Sequence, residues 1–351
     1  MGNMRIGVIL INYKDYAEKF LEHCRDSLQL QELGDNEMRV YIIDNVTSEQ
    51  TRATITAIYP EAIVIGSDGN GWGHANNIGM RHAMQDGCDV VILANMDTVF
   101  EPTWAKELVA PLSDTTIGIT QSKVLLFNTN PPRLNSRGNV LQFLGFSFCV
   151  GYNDLDTENE RELVDIGSAS GVALAMKVQT AQEIGMCDES YFMYHDDVEL
   201  SAKVIMRGKR IVMVPTSRVA HKYEFSRSVR QVYFMERNRY RVLFTFFPLT
   251  LLIASSPLLL GMELAMWLYA IKNGWGKQKL EVLQYFFKKE TWDDIRRKRK
   301  EQFAQRRITN GQFIKKLVAI VDFQEIQNPL LRYVGNPVMS VYFSILKKIL
   351  L

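Results

Sequence analysis

The first 126 residues alternate short apolar runs with helix-period patterns, and this alternation constrains the fold more than any other feature of the chain. The runs are RIGVILIN (5–12), MRVYIID (38–44), AIVIG (62–66), DVVILAN (89–95) and IGITQSKVLL (117–126). Helical patterns lie between them over 16–29, 48–58, 74–84 and 102–112, with Pro102 where a first helical position tolerates it. Strands alternating with helices of this size predict an α/β fold, a mostly parallel sheet covered on both faces. The runs are short and rich in Val and Ile, as doubly buried strands require. Ligands of such sheets bind beyond the carboxyl ends of the strands. The residues there are Asn12 and Tyr13, Asp44 and Asn45, the loop Asp68-Gly69-Asn70-Gly71-Trp72-Gly73, and residues 95–98.

Composition removes several classes. A chain of 351 residues with 47% hydrophobic content, and with 41 Lys+Arg against 39 Asp+Glu, is neither disordered nor collagen-like. Cys24, Cys88, Cys149 and Cys187 are widely spaced without a C-x-x-C pair, which argues against a zinc cluster or disulfide framework and for a reducing cytosol. The opening MGNMRIGVILIN lacks the long apolar core and cleavage site of a signal peptide, so the N-terminal part is expected to stay cytosolic. No G-x-G-x-x-G or G-x-x-x-x-G-K-[ST] follows the first strand, which removes a dinucleotide fingerprint and a P-loop. Gly69, Gly71 and Gly73 follow the third strand and read as a tight turn.

Six strings carry a more specific signal through their order and spacing: VILINYKDY (8–16), YIIDN (41–45), GNGWGHANNIGM (69–80), LANMDT (93–98), GVALAMK (171–177) and ESYFMYHDDVELSAKVIMRG (189–208). Together they resemble the inverting family 2 glycosyltransferases of the GT-A fold, and within that family the bacterial rhamnosyltransferase-type branch. The resemblance covers roughly residues 5–241. It implies a nucleotide-diphospho-sugar donor, a saccharide or lipid-linked saccharide acceptor, and a divalent cation, Mn2+ or Mg2+.

Residue by residue, the resemblance assigns Asn12, Tyr13, Asp44, Gly71, Asn76, Asn77 and Asn95 to the donor nucleotide. Asp44 would accept the pyrimidine N3 proton, and Asn76 and Asn77 would hold ribose and diphosphate at a helix N-terminus that suits an anion. Capping and turn formation are the alternative roles for these three. Asp97 falls on the family's D-x-D or N-x-D position as a metal ligand, with Asn95 in support. A hard cation wants such oxygen ligands and neutralises charge growing on the departing diphosphate. Met96 stands where the branch usually has proline. His221 aligns with a histidine that joins the metal or diphosphate, although a packed histidine is the alternative. Asp197 aligns with the catalytic base that removes the acceptor proton. Asp196, in place of the usual glutamate, and Gly171 are assigned to the acceptor. Caps of a helix starting near Val198 are the alternative for both aspartates. Arg227 and Arg230 could neutralise phosphate or simply be solvated.

The C-terminal part reads differently. From Lys272 onward there are 17 Lys+Arg against 7 Asp+Glu, which leaves 24 against 32 for the first 271 residues. Just before this basic region, residues 242–271 contain Glu263 as their single charge. Pro248, Ser255, Ser256 and Pro257 interrupt the run, and basic residues flank both ends, so a kinked hairpin dipping into one leaflet or an interfacial helix fits better than a span. A buried helical hairpin is the alternative. IRRKRKEQFAQRR (295–307) is expected to attract anionic lipid, and VMSVYFSILKKILL (338–351) suits an interfacial helix. No nucleic-acid motif accompanies the charge. The polar stretch 127–165 has little periodicity and reads as a long loop, and the resemblance implies that it helps enclose the acceptor.

The expected architecture is therefore a GT-A domain over 1–241 and an apolar, basic helical region over 242–351 at the cytoplasmic face of the cell membrane, with oligomerisation possible. The competing readings are a sugar nucleotidyltransferase and a membrane-associated scaffold that binds sugar nucleotides without turnover.

Overall fold

The computed structural model describes residues 3–157, 160–222, 232–322 and 328–351. The described residues divide into two compact units. The first holds 3–139, 149–157, 160–204 and 209–222; the second holds 140–148, 205–208, 232–322 and 328–351.

The first unit is built on a ten-stranded sheet among the described residues. Its strands in chain order are β1 (Arg5–Tyr13), β2 (Glu37–Asn45), β3 (Ile63–Gly66), β4 (Val90–Ala94), β5 (Thr98–Phe100), β6 (Ile117–Leu126) and β7 (Leu134–Ser136). A separate hairpin follows as β8 (Asn139–Leu141) and β9 (Ser147–Cys149), and the sheet resumes with β10 (Val164–Asp165), β11 (Ala173–Lys177) and β12 (Arg210–His221). The main path runs β10-β12-β6-β11-β4-β1-β2-β3, and β5 and β7 pair with β12 and β6. The pairs β1–β2, β1–β4, β2–β3 and β6–β12 are parallel, as the alternation predicts. β11 is the departure, lying antiparallel between β4 and β6 and separating two strands consecutive in the alternating pattern.

Helices cover the sheet: α1 (Glu22–Gln29), α2 (Glu49–Ile58), α3 (Trp72–Gln85), α4 (Trp104–Val109), α5 (Val178–Ile184) and α6 (Asp196–Met206). Ser48 caps α2 by accepting from the Thr51 amide at 3.0 Å. α4 starts two residues later than expected, because Pro102 belongs to a turn closed by the Trp104 amide on the Glu101 carbonyl. Val8, Leu10, Ile42, Val90 and Ile92 are fully buried beneath the helices, or nearly so, where each aliphatic side chain contributes about 1.5–3 kcal/mol by leaving water.

The second unit holds α7 (Val232–Phe246), α8 (Leu249–Lys272), α9 (Gly276–Phe286), α10 (Lys289–Ala304), α11 (Asn310–Lys315) and α12 (Asn336–Leu350). Here the structure corrects the expected hairpin, for residues 249–272 form one continuous helix through Ser255, Ser256 and Pro257. Pro257 has no N–H for the Ile253 carbonyl, and the Ser256 hydroxyl donates to it instead at 2.8 Å. Part of the stretch read as an acceptor loop is also core. Residues 140–148 belong to the second unit, where Phe143 stacks on Phe343 at 4.6 Å and Gln142 Nε2 donates to the Ala319 carbonyl.

Candidate functional site

At the carboxyl end of β4 the chain turns through Asn95, Met96 and Asp97. The Asn95 amide donates to the Val172 carbonyl at 2.9 Å, and the Lys222 amide donates to the Asp97 carbonyl at 2.9 Å. Both sides of the turn are thereby fixed to neighbouring segments. Met96 is almost fully buried in the core, so packing holds the turn where a ring would have stiffened it. Asp97 is only 7% exposed, and its Oδ1 has no hydrogen-bond partner. The nearest base is His221 at the end of β12, with Nε2 at 3.3 Å from that oxygen. Asn135 Oδ1 lies 3.0 Å from His221 Nδ1. With Nδ1 donating to Asn135, Nε2 turns its lone pair toward the carboxylate. A carboxylate oxygen without a hydrogen bond and an imidazole nitrogen 3.3 Å from it form a pair of donor atoms suited to a cation. Among the described residues no group of three or more His, Cys, Asp or Glu side chains forms a complete metal cage. The Asp97–His221 pair therefore fits a divalent cation whose remaining ligands come from elsewhere, such as phosphate oxygens and water.

The second chemical centre lies at the start of α6. Asp197 is half-buried, with Oδ1 accepting from the Val198 amide at 2.8 Å and Oδ2 from the Gly171 amide at 3.1 Å. Burial pushes its carboxyl above the ordinary aspartate value, against the lowering effect of these amides. The result is a well-oriented carboxylate with increased proton affinity, as a general base needs. The segment leading to it is unusual, because Phe192, Tyr194 and His195 all have left-handed φ angles, between 61° and 69°. Three non-glycine residues in that region store backbone strain. Their shape is held from α3, whose first amide, at Trp72, donates to the Phe192 carbonyl at 2.8 Å. Gly71 precedes it at φ 127°, and a Cβ there would lie 3.1 Å from the same carbonyl oxygen.

The two centres line one cleft. A cavity of about 260 Å3 is bordered by Tyr13, Asn45, Gly71, Asn95 and Asp97. A second, of about 310 Å3, is bordered by Ser170, Gly171, His195, Asp196 and Asp197. Trp72, Asn95 and Met193 border both, so the cavities adjoin across these three side chains. Gly171 makes room for the shared indole, since a Cβ on it would lie 2.7 Å from Trp72 Cζ2. The N-terminal ends of α3 and α6 both open on the cleft and favour bound negative charge.

Of the sequence-derived site residues, Tyr13, Gly71, Asn95, Asp97, Gly171, Asp196 and Asp197 line the cleft, and His221 faces Asp97 from β12. Four others do not border either cavity. Asp44 is fully buried, with Oδ1 accepting from Asn12 Nδ2 at 2.7 Å and Oδ2 from the Thr51 hydroxyl at 2.6 Å. Asn12 is committed to that bond and to the Ala17 amide. Asn76 donates to the Trp72 carbonyl within its own helix, and Asn77 joins α3 to the Cys187 backbone and to Glu189. These four side chains hold the cleft walls from behind. Arg227 and Arg230 lie outside the described residues.

Sequence reasoning placed Trp72 and Asn45 among the strand-end residues but gave neither a role. Trp72 divides the two cavities, and the buried Oδ1 of Asn45 lacks a hydrogen-bond partner beside the first. Asn135, which orients His221, sits in the stretch read as an aperiodic loop and had no signal.

Residues 7–172 match the model of glycosyl transferase family 2. The match takes in Asp97 and Gly171 and ends before Asp197 and His221. Among solved structures, GalNAc-T7 with UDP, GalNAc and Mn2+ aligns with a TM-score of 0.57 and 19% identity over 73% of this chain and 51% of the other. The chain thus spans about half the length of that relative. The mannosyltransferase PcManGT from Pyrobaculum calidifontis, in complex with GDP-Man and Mn2+, aligns with a TM-score of 0.46 and 15% identity over 80% of this chain and 85% of that one. S. aureus TarS aligns with a TM-score of 0.46 and 14% identity over 69% and 40% of the two chains. No curated protein sequence matches significantly. The family match and the first of these alignments agree with a GT-A-like fold.

Proposed function

We propose that this protein is an inverting glycosyltransferase that moves a sugar from a nucleotide-diphospho-sugar to a hydroxyl of a saccharide or lipid-linked saccharide acceptor, in the synthesis of a cell-surface polysaccharide. The family 2 match supports sugar transfer from a nucleotide donor. The observation that carries the reading is the pair of adjoining cavities, with the Asp97–His221 pair at one and Asp197 at the other.

In this reading the nucleotide diphosphate occupies the Tyr13–Asp97 end and the acceptor occupies the Gly171–Asp197 end. A divalent cation held by Asp97 and His221, with Asn95 beside them, would neutralise charge on the diphosphate. As the acceptor hydroxyl oxygen bonds to the anomeric carbon, its proton passes to Asp197. The bond from that carbon to the diphosphate oxygen breaks on the opposite side, and the nucleoside diphosphate leaves. One displacement inverts the anomeric configuration. The Gly171 and Val198 amides keep the base aimed, and Trp72 closes the boundary between donor and acceptor spaces.

Release of nucleoside diphosphate from a panel of UDP-, dTDP- and GDP-sugars tests the proposal, with membrane extract as acceptor and with Mn2+ or EDTA. dTDP-rhamnose and UDP-sugars come first because of the branch resemblance. The expected result is metal-dependent turnover of one donor, with a product of inverted configuration by proton NMR. Retained configuration would overturn the single displacement. Donor binding without turnover across all acceptors would favour a binding scaffold.

A further inference from the structure

α8 (Leu249–Lys272) is, among the described residues, the one helix long and apolar enough to cross a membrane, with mean hydropathy 1.7 over its most apolar window. Its exposed large side chains are Leu249, Ile253, Leu260, Leu264, Leu268 and Ile271. At 100° per residue they fall within an arc of about 100°, one stripe along the whole helix. Leu251, Ser255 and Ala270 point elsewhere and are buried.

The single acidic residue of the helix decides how such a stripe can meet lipid. Glu263 Oε1 accepts from Lys279 Nζ of α9 at 2.7 Å, and its Oε2 accepts from the Tyr240 hydroxyl and lies 3.7 Å from Arg239 of α7. Lys279 and Arg239 also share Glu236, at 2.8 Å and 3.2 Å. A helix crossing the bilayer would draw this ion cluster and the polar helix α9 into hydrocarbon, or tear the cluster apart and leave buried charges unpaired. A helix lying along the surface keeps every one of these bonds.

The cations agree with the same orientation. The basic run of α10, expected to meet lipid, is largely satisfied within the protein. Arg296 pairs with Asp293, Arg297 with Asp294 and Glu301, and Lys298 with Asp294, while Arg299 donates to the Phe244 and Phe247 carbonyls. By contrast, Lys272, Lys277, Lys288 and Lys289 are exposed and have no acidic partner among the described residues. They flank the end of the stripe and Phe287, which is 85% exposed.

We propose that α8 lies flat on an anionic bilayer surface, with its aliphatic stripe among the acyl chains and these four lysines at the headgroups, and does not span the membrane. α12 touches α8 through the Tyr342 hydroxyl on the Ala254 carbonyl, at 2.7 Å, and exposes a stripe of its own in Val338, Val341, Ile345 and Ile349. It serves as a second contact. The proposal does not depend on sugar transfer, and its test reads no activity.

Flotation of the full chain with sealed vesicles of phosphatidylcholine, with and without phosphatidylglycerol, tests it. Wild type should float with the anionic vesicles. Changing Leu260, Leu264 and Leu268 together to Glu should lower partitioning more than tenfold with an unchanged melting temperature, since all three are exposed. Reversing Lys272, Lys277, Lys288 and Lys289 to Glu should abolish the preference for anionic vesicles, and Arg296→Glu should leave it. For orientation, Thr250→Cys and Asn273→Cys, both at exposed positions, are each placed in a Cys149→Ser background and exposed to a membrane-impermeant maleimide outside the vesicles. Equal labelling of both ends supports the flat helix, and protection of one end overturns it. Flotation that survives the triple Leu change overturns it too. So does a wild type that fails to float but dissociates from dimer to monomer on the triple change, which would make the stripe a contact between copies.

Discussion

Buried charge is handled in opposite ways at two places in the molecule, the ion cluster around Glu236 in the helical unit and the cleft of the sheet unit. In the helical unit Glu236 is enclosed with Arg239 and Lys279. Burial alone would push its carboxyl up, but the two cations overcome that effect and hold it down at about 2. In the sheet unit Asp197 has only backbone amides for company and is pushed up, and Asp97 keeps an oxygen without a hydrogen bond. Both arrangements cost desolvation. The first recovers it inside the protein and leaves nothing for a ligand. The second is left open toward the cleft, where, in the proposed function, a proton or a cation would complete it.

The largest expected effect breaks the comparison at its functional side. Asp197→Asn keeps the shape and removes the base, and should lower kcat on the order of 100- to 10,000-fold in a nucleoside diphosphate release assay. In the wild type, kcat/KM should rise with pH through the raised Asp197 pKa, because only the deprotonated form accepts the acceptor proton. The variant's residual rate should lose that rise. A wild-type rate in Asp197→Asn would make the carboxylate a helix cap and nothing more.

Next comes the structural side. Glu236→Ala leaves Arg239 and Lys279 enclosed with less compensation, and should cost about 3–5 kcal/mol in urea unfolding. Replacing Glu236 and Lys279 together by Leu should cost less than the single change. The pH dependence has a definite sign. Because the folded-state value is depressed to about 2 from 4.5, Glu236 contributes its stability fully above pH 4.5 and loses it as pH falls toward 2. That shift corresponds to about 3 kcal/mol, and Glu236→Gln should flatten this part of the acid unfolding curve.

Smaller effects sharpen the boundary. Gly171→Ala sets a methyl group 2.7 Å from Trp72 Cζ2. Displacing the indole should lower kcat/KM roughly tenfold, with about 1–3 kcal/mol lost from overpacking. The smallest is Ser256→Ala, which deprives the Ile253 carbonyl beside Pro257 of its donor and should cost about 1 kcal/mol.

Much of the sheet was legible because its strands are runs of Val and Ile punctuated by polar ends, and strand β6 falls on the very residues of its apolar run. The insertion of β11 was not, since pairing order depends on contacts between strands far apart in sequence. Ligand-side residues at strand ends, such as Asn95 and Asp97, follow directly from that pattern. Asp44 misleads by the same logic, because it too ends a strand but is bound from both sides by Asn12 and Thr51. Charge counting alone did not show that Arg297 of the α10 run pairs with Asp294 and Glu301 one turn away on the same helix, although their spacing in the sequence allows it. The unbroken course of α8 was not legible because Pro257 reads as a break, and the contact of the Ser256 hydroxyl with the Ile253 carbonyl is one that composition cannot show.

The central claim is a division of labour within one cleft, with Asp97 serving the donor and Asp197 the proton. Donor affinity by calorimetry with Mn2+, measured together with turnover on the same preparations, tests it most directly. The account predicts that Asp97→Ala loses donor binding by at least tenfold, whereas Asp197→Asn binds the donor as the wild type does and fails to turn it over. Equal loss of donor affinity in both variants, or turnover surviving in Asp197→Asn, would contradict it.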